Sequence, residues 1–337
     1  MAKDTLNFCV FGAGRIGKLH ARNLAAHPRA RVKTIVDPIG QAAADLAREV
    51  GAATAPDAAA ALADRDIDAV VIASSTNTHV DLIVASARRG KAVLCEKPID
   101  LDIRRVDRCL AELRKHRTPV AIGFNRRFDP TNRAIAAAIR RGEVGDVEQI
   151  VITSRDPAPP PLAYIKVSGG LFRDMMIHDF DLARWLLGAE PVEVVAKASC
   201  RVDPKIARAG DVDSAMVILK TRGGALCHIN NSRRAAYGYD QRVEVFGAKG
   251  MVRSDNLRPT AILKSNEAAT DARDVLLPFF VERYAQSYVH EIDDFIDAVL
   301  ARRKPSVGAE DGRRALLLAD AALQSHRTGR TVTVDAV

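Results

Sequence analysis

The chain has 337 residues, long enough for about two domains of roughly 150 residues each, and it carries 50 Lys and Arg against 42 Asp and Glu for a formal charge of +8. A hydrophobic content of 47%, a charged content of 27% and a mean hydropathy of −0.07 exclude a disordered chain, and no run of about 18 residues escapes charge and turn residues as a membrane span requires. The basic residues are scattered along predicted helices and only 5% of residues are aromatic, which sets nucleic acid aside as a partner and leaves a small anionic ligand as the use for the excess charge.

The first third alternates short apolar runs with Ala-rich helical stretches. Strands are predicted at 6–11, 31–36, 69–73, 92–95 and 120–123, and helices at 15–27, 41–50, 79–89 and 103–116. Ala69-Val70-Val71-Ile72-Ala73 is apolar throughout, as a strand covered on both faces must be. Alternation of this kind implies parallel βαβ units, hence an α/β, doubly wound Rossmann-type domain over residues 1–125. Residues 126–337 change character. Strands at 147–153, 192–200, 212–220, 225–230 and 241–246 predict an α+β domain on a mostly antiparallel sheet, closed by helices at 284–302 and 310–326. Asp156-Pro157-Ala158-Pro159-Pro160-Pro161 reads as a loop, because proline removes donors and fixes φ.

Cys9, Cys95, Cys109, Cys200 and Cys227 form no C-x-x-C pair, so neither a zinc–thiolate site nor a disulfide framework is expected. Met1-Ala2-Lys3-Asp4-Thr5 leads into the first strand without a secretory apolar segment, and the expectation is a cytoplasmic protein.

Gly12-Ala13-Gly14-Arg15-Ile16-Gly17 is a G-x-G-x-x-G run that follows the first strand and opens the first helix, with Asp37 closing the second strand twenty positions after Gly17. In that context the glycines permit a tight turn and a close approach of pyrophosphate to the helix N-terminus, and the aspartate accepts from ribose hydroxyls. Asp37 repels a 2′-phosphate and Pro38 leaves no arginine to receive one, so NAD is the expected cofactor rather than NADP.

Cys95-Glu96-Lys97-Pro98 follows the fourth strand, at the carboxyl end of the sheet where ligands of doubly wound folds sit. Lys97 there is either a solvated loop residue or a cation beside a reacting hydroxyl. Gly169-Gly170 precedes a predicted helix on which Asp174, His178 and Asp181 share one stripe, amid Met175, Met176, Phe180, Leu182, Trp185 and Leu186. A helix apolar nearly all round is buried, and buried carboxylate and imidazole need partners or a task. A satisfied structural Asp–His pair is the competing use; a metal site is not expected, the spacing matching no zinc motif.

These segments, in this order, resemble the glucose–fructose oxidoreductase/inositol dehydrogenase/MocA family over essentially the whole chain. Gly123-Phe124-Asn125-Arg126-Arg127-Phe128-Asp129, Ser154-Arg155-Asp156-Pro157, the Phe172-to-Asp181 segment and Arg233-to-Arg242 are most similar to its inositol 2-dehydrogenase subgroup. The resemblance implies a catalytic set of Lys97, Asp174 and His178. In it, neutral His178 takes the hydroxyl proton, Asp174 orients the imidazole and Lys97 favours alkoxide character. It implies that Gly12, Gly14, Arg15, Ile16, Gly17, Asp37, Ser74, Thr76, Asn77, His79, Glu96 and Lys97 line NAD. It implies too that Lys97, Arg127, Asp156, Asp174, His178 and Tyr237 meet a polyol whose buried hydroxyls must each be paired. A structural role competes at Arg127, Asp156 and Tyr237.

The expected reaction is oxidation of myo-inositol to its 2-keto product, and the expected assembly, again from the resemblance, is a homotetramer associating through the outer face of the antiparallel sheet. The alternatives are a scyllo-inositol or pyranose dehydrogenase, a glycosidase that uses NAD transiently, and a non-catalytic sugar or nucleotide sensor. A sensor has no reason to keep Lys97, Asp174 and His178 together.

Overall fold

Leu6–Phe11 (β1) is buried at all but one position, and Ala30–Val36 (β2) pairs with it in parallel, as β-branched runs shielded on both faces do. A computed structural model describes residues 4–334. Between and after these strands come Arg15–Ala26 (α1), Gly40–Val50 (α2), Ala53–Thr54 (β3), Ala58–Ala63 (α3), Ala69–Ile72 (β4), His79–Arg88 (α4), Ala92–Cys95 (β5), Ile103–Leu113 (α5) and Val120–Ile122 (β6). The six strands run in the order β3-β2-β1-β4-β5-β6, the doubly wound arrangement expected from sequence. The short β3 and α3 escaped prediction because two residues and six residues are too few to show a period.

The chain divides into two compact units: the first runs to Asn125 and takes back Ser287–Leu316, and the second holds Arg126–Gln286 and the residues from Leu317 on. This corrects the expectation that everything from residue 126 onward belongs to the second domain. The reason lies in Ala285–Leu300 (α11), whose Ile292, Phe295 and Ile296 are buried in the same core as Leu6, Phe8, Val10 and Leu94. Phe8 and Phe295 pack with ring centroids 6.2 Å apart. Burying each such side chain contributes about 1.5–3 kcal/mol, which a helix of the first unit gains only by returning to that core.

The second unit is built on a seven-stranded sheet ordered β12-β11-β7-β10-β9-β8-β15. Its elements are Pro130–Arg140 (α6), Val147–Arg155 (β7), Leu162–Ser168 (α7), Ile177–Leu187 (α8), Pro191–Ser199 (β8), Pro204–Arg208 (α9), Ser214–Thr221 (β9), Leu226–Ser232 (β10), Asp240–Gly247 (β11), Gly250–Arg253 (β12), Leu263–Lys264 (β13), Ala272–Arg273 (β14), Phe280–Arg283 (α10), Ala309–Thr328 (α12, shared between the units) and Val332–Thr333 (β15). Every pairing in the large sheet is antiparallel except β7 with β10. Ile150, Ile152, Val194, Val217, Ile229 and Val245 face a core shared with Phe172, Phe180, Leu186 and Leu318. Alternation along β9 leaves Met216, Ile218 and Lys220 on the opposite, exposed face. Among the described residues no helix is long and apolar enough to cross a membrane.

Candidate functional site

In the first unit the glycine-rich turn is sterically specified. Gly12 has φ +103°, and a Cβ there would lie 2.5 Å from the Ala73 carbonyl oxygen; at Gly17 it would lie 1.9 Å from that of Gly12. Both glycines are therefore required by packing. Gly14 differs: open space surrounds the position of its absent Cβ, and it caps α1 without any side-chain hydrogen bond to the first-turn amides. Bare backbone and uncapped amides at a helix N-terminus suit a pyrophosphate, and the donor set fits NAD. Arg15 is exposed on the first turn and Ile16 half-buried.

Asp37, half-buried at the end of β2, accepts a hydrogen bond from the Ala13 amide at 2.6 Å through Oδ2 and from the Ile39 amide at 2.8 Å through Oδ1. The glycine turn and the acidic residue are thus joined directly, leaving the carboxylate's remaining lone pairs for ribose hydroxyls. Asp37→Ala is expected to weaken NAD binding and relax discrimination against NADP; an unaltered cofactor preference in titrations with both nucleotides sinks that role.

Beyond β4, the Ser74 hydroxyl meets that of Thr78 at 2.7 Å, and Thr76 and Asn77 lie in a short 3₁₀ turn at the surface. His79, expected to line the cofactor, is 1% exposed, its ring set between the Pro98 carbonyl at 2.8 Å and the Ser74 carbonyl at 3.0 Å. It ties the loop after β4 to the loop after β5, which carries Glu96 and Lys97. Among the nominated nucleotide residues His79 thus serves the scaffold by these contacts.

In the second unit the segment bearing the predicted Asp–His pair is not one regular helix. Leu171–Met175 is a π-helical turn, closed by the Met176 amide donating to Leu171, and the α-helix begins at Ile177. A π turn inserts an extra residue, so the single stripe expected for Asp174, His178 and Asp181 is broken between the first two. This turn follows Gly169 at φ +89° and Gly170 at φ +81°, conformations only glycine adopts without strain. A Cβ on Gly170 would lie 2.6 Å from Asp211 Oδ1, the carboxylate that accepts from the Leu171 amide at 3.0 Å and starts the turn.

Asp174 accepts a hydrogen bond from the Tyr164 hydroxyl on α7 at 2.8 Å, and its other oxygen lies 3.7 Å from the Arg233 guanidinium. Arg233 is 1% exposed and also faces Asp211 at 3.8 Å. His178, half-buried, follows at the first turn of α8. Sequence reading missed Tyr164 and Arg233; the hydroxyl-bearing residue just after a proline run and an arginine after a strand were signals too common to single out.

Asp179 and Asp181 are structural. Asp179, with its side chain fully buried, accepts from Arg126 at 2.5 Å, Ser154 at 2.6 Å and Asn231 at 2.9 Å. Asp181 forms a bidentate pair with Arg127 at 2.5 and 2.8 Å. The Arg127 side chain is 11% exposed in that pair, so of its two expected uses the structure displays the ion pair. Tyr237 accepts from Arg155 at 2.9 Å and donates to Asp240 at 2.7 Å while the residue remains 44% exposed. Asp156 lies beside Arg233, Arg126, Asp174 and Asp179. Burial pushes its carboxyl up from 3.8 to about 6, the two arginines pulling it down and the two aspartates pushing it up. Because the folded value is raised, its protonated form favours the fold; that contribution is complete below about pH 4 and is lost as pH rises through about 6.

Known proteins resemble this chain over nearly its whole length. Residues 6–124 match the model of an oxidoreductase family with an NAD-binding Rossmann fold, and residues 132–253 that of the GFO/IDH/MocA C-terminal domain. The chain is 48% identical over 334 residues to an inositol 2-dehydrogenase of Rhizobium meliloti (strain 1021), covering 98% of this chain and 99% of that protein. A crystal structure of a myo-inositol dehydrogenase from Corynebacterium glutamicum ATCC 13032 superimposes with a TM-score of 0.95 at 46% identity, covering 99% of this chain and all of that one. A scyllo-inositol dehydrogenase from Lactobacillus casei, solved with NAD(H) and scyllo-inositol bound, gives a TM-score of 0.91 at 29% identity, covering 98% of this chain and 99% of that one.

Proposed function

Because the chain belongs to the GFO/IDH/MocA oxidoreductase family, with an NAD-binding Rossmann domain, we propose that it is an NAD-dependent inositol 2-dehydrogenase that oxidises myo-inositol to its 2-keto product. What carries the reading is full-length identity of 48% to an inositol 2-dehydrogenase in a chain whose sequence contains Lys97, Asp174 and His178.

NAD, when bound, supplies the two-electron acceptor. The rest belongs to the chain. His178 takes the proton of the hydroxyl being oxidised. Asp174, set beside Arg233 and aligned by Tyr164, stabilises the charge that His178 then bears. Lys97 offsets the negative charge developing on the substrate oxygen. Asp156 and Tyr237 present acceptor oxygens to ring hydroxyls, the Tyr237 proton being committed to Asp240, and an unmatched buried polar group there costs about 1–3 kcal/mol and so enforces selection of a polyol.

The test is NADH formation by the purified protein with NAD and a panel of myo-, scyllo- and D-chiro-inositol, glucose and xylose. Turnover led by myo-inositol is expected. Turnover led by scyllo-inositol or a pyranose transfers the same machinery to the second reading, which the Lactobacillus casei relative motivates. No NADH from any substrate sinks the dehydrogenase assignment in favour of a glycosidase or sensor. With the best substrate, KM is expected to rise as pH falls through about 6, where Asp156 takes up its proton and loses an acceptor, and Asp156→Asn should flatten that limb. A KM independent of pH there removes Asp156 from the substrate-binding set.

The reading includes a homotetramer formed through the outer sheet face. Val151, Val195, Met216, Ile218, Leu226 and Phe246 are 36–56% exposed on that face, and a contiguous apolar surface of this kind is uncommon on a free monomer. Ile218, paired between Val195 and His228, lies within it. Light scattering should give four chains, and fewer for Ile218→Lys; a monomeric parent protein refutes the assembly. A cytoplasmic location completes the reading, supported by five free cysteines of which four are buried.

A further inference from the structure

Behind the loop that carries Lys97, the first unit buries a second cluster of ionisable groups, of which His20 and Glu291 have no part in the reaction described above. His20 on α1, Glu96 after β5 and Glu291 on α11 bring one nitrogen and two carboxylate oxygens within 4.8 Å of one another. His20 is 1% and Glu291 2% exposed. The His20 Nε2 and Glu96 Oε1 atoms are 2.8 Å apart, and the Tyr288 ring meets the imidazole edge-on at 5.7 Å. Glu96 is also confined from the far side: a Cβ on Gly123 would lie 3.1 Å from its carboxyl group, so the glycine at the end of β6 makes the room the side chain occupies. The main chain is fixed as well, the Glu96 amide donating to Ile72 at 2.9 Å and the Gly123 amide to Cys95 at 2.8 Å.

Glu291 differs from its neighbours. Among the described residues neither of its oxygens has a hydrogen-bond partner. The groups bearing on it are Glu96 from the β5 loop, Asp294 and the buried Ser287 from its own helix, and His20 from α1. Its surroundings therefore include two further carboxyl groups and one imidazole. Two adjacent carboxylates cannot both stay ionised out of water unless something positive is shared between them. Burial, and after it the charges of Glu96 and Asp294, push the Glu291 carboxyl well above its ordinary range.

We propose that Glu291 carries a proton in the working enzyme and that it and His20 clamp the Glu96 side chain, making His20 and Glu291 positioning residues for Lys97. The clamp joins the helix that opens at the glycine turn to the residue immediately before the lysine. A shift of about 1 Å in a reacting group costs up to about 10²-fold in rate, so the alignment of the lysine is worth a buried acid. The inference rests on the reading of Lys97 as catalytic.

The test uses the full chain with NAD. Infrared spectroscopy should show a carboxylic-acid carbonyl band at neutral pH that disappears in Glu291→Gln. Kinetically, Glu291→Ala should lower kcat by up to about 10²-fold with NAD affinity unchanged, and Glu291→Gln, shaped like the neutral acid, should restore most of that loss. Absence of the band, or a glutamine variant as slow as the alanine one, overturns the proposal. So does loss of wild-type turnover on chelation with recovery on adding Zn²⁺ alone, which assigns the cluster to a cation. If Glu291→Ala does not fold, the infrared comparison still decides. Full turnover in Lys97→Met refutes the catalytic reading of the lysine and with it the positioning role, while the infrared band still reports the proton on its own.

Discussion

Replacing His178 with alanine is expected to lower turnover by about 10²- to 10⁴-fold, the range lost with a general base, while NAD binding persists. The separation follows from where the groups sit. The glycine turn and Asp37 belong to the first unit, which holds its shape through its own sheet and core; His178 belongs to the second. Removing the imidazole also alters the acid limb of the kcat/KM profile, leaving there the contribution of Asp156. Asp174→Asn should produce a smaller loss with that limb retained, since Tyr164 still aligns the amide that replaces the carboxylate. The measurement is single-turnover NADH formation beside a fluorescence titration of NAD. Turnover within a few-fold of the parent, with nucleotide binding intact, removes His178 from the mechanism.

The largest expected effect on stability comes from Arg126→Ala, at about 3–5 kcal/mol, the cost of leaving one partner of a buried ion pair uncompensated. The Arg126 side chain is 5% and that of Asp179 0% exposed, with 2.5 Å between them. Ser154 and Asn231 still donate to Asp179 in the variant, but neither supplies charge. The guanidinium also lies 5.5 Å from the centre of the Tyr284 ring, and the same substitution removes this cation–π attraction. Trp185, the single tryptophan, packs against the core of the second unit and reports its unfolding in urea. Replacing both partners, Arg126→Met with Asp179→Leu, should recover much of the loss, as apolar replacements of buried pairs do. A single variant within about 1 kcal/mol of the parent contradicts the reading of this pair as a structural hub.

The parallel sheet was legible in the sequence because a strand covered on both faces must be apolar at nearly every position, and Ala69–Ile72 and Ala92–Cys95 are buried throughout. The glycine turn and Asp37 were legible because their chemistry is carried by the main chain and one fixed spacing; the hydrogen bond from Ala13 to Asp37 is what that spacing encodes. Asp174 and His178 stood out as polar groups on a segment expected to be buried, and Lys97 by its place at the carboxyl end of the sheet; the family resemblance joined them into a catalytic set without ordering them in space. What it could not carry was long-range. The break at Leu171–Met175 depends on Asp211, forty positions away, seizing the Leu171 amide, and no local periodicity announces an inserted residue. Tyr164 and Arg233 acquire meaning only when folding sets them on either side of Asp174. The return of α11 to the first core, and with it the meeting of Glu291, His20 and Glu96, is likewise decided by tertiary structure. A helix shows in sequence which of its faces is apolar, whereas the core that covers this face is chosen by the free energy of burial across the whole chain.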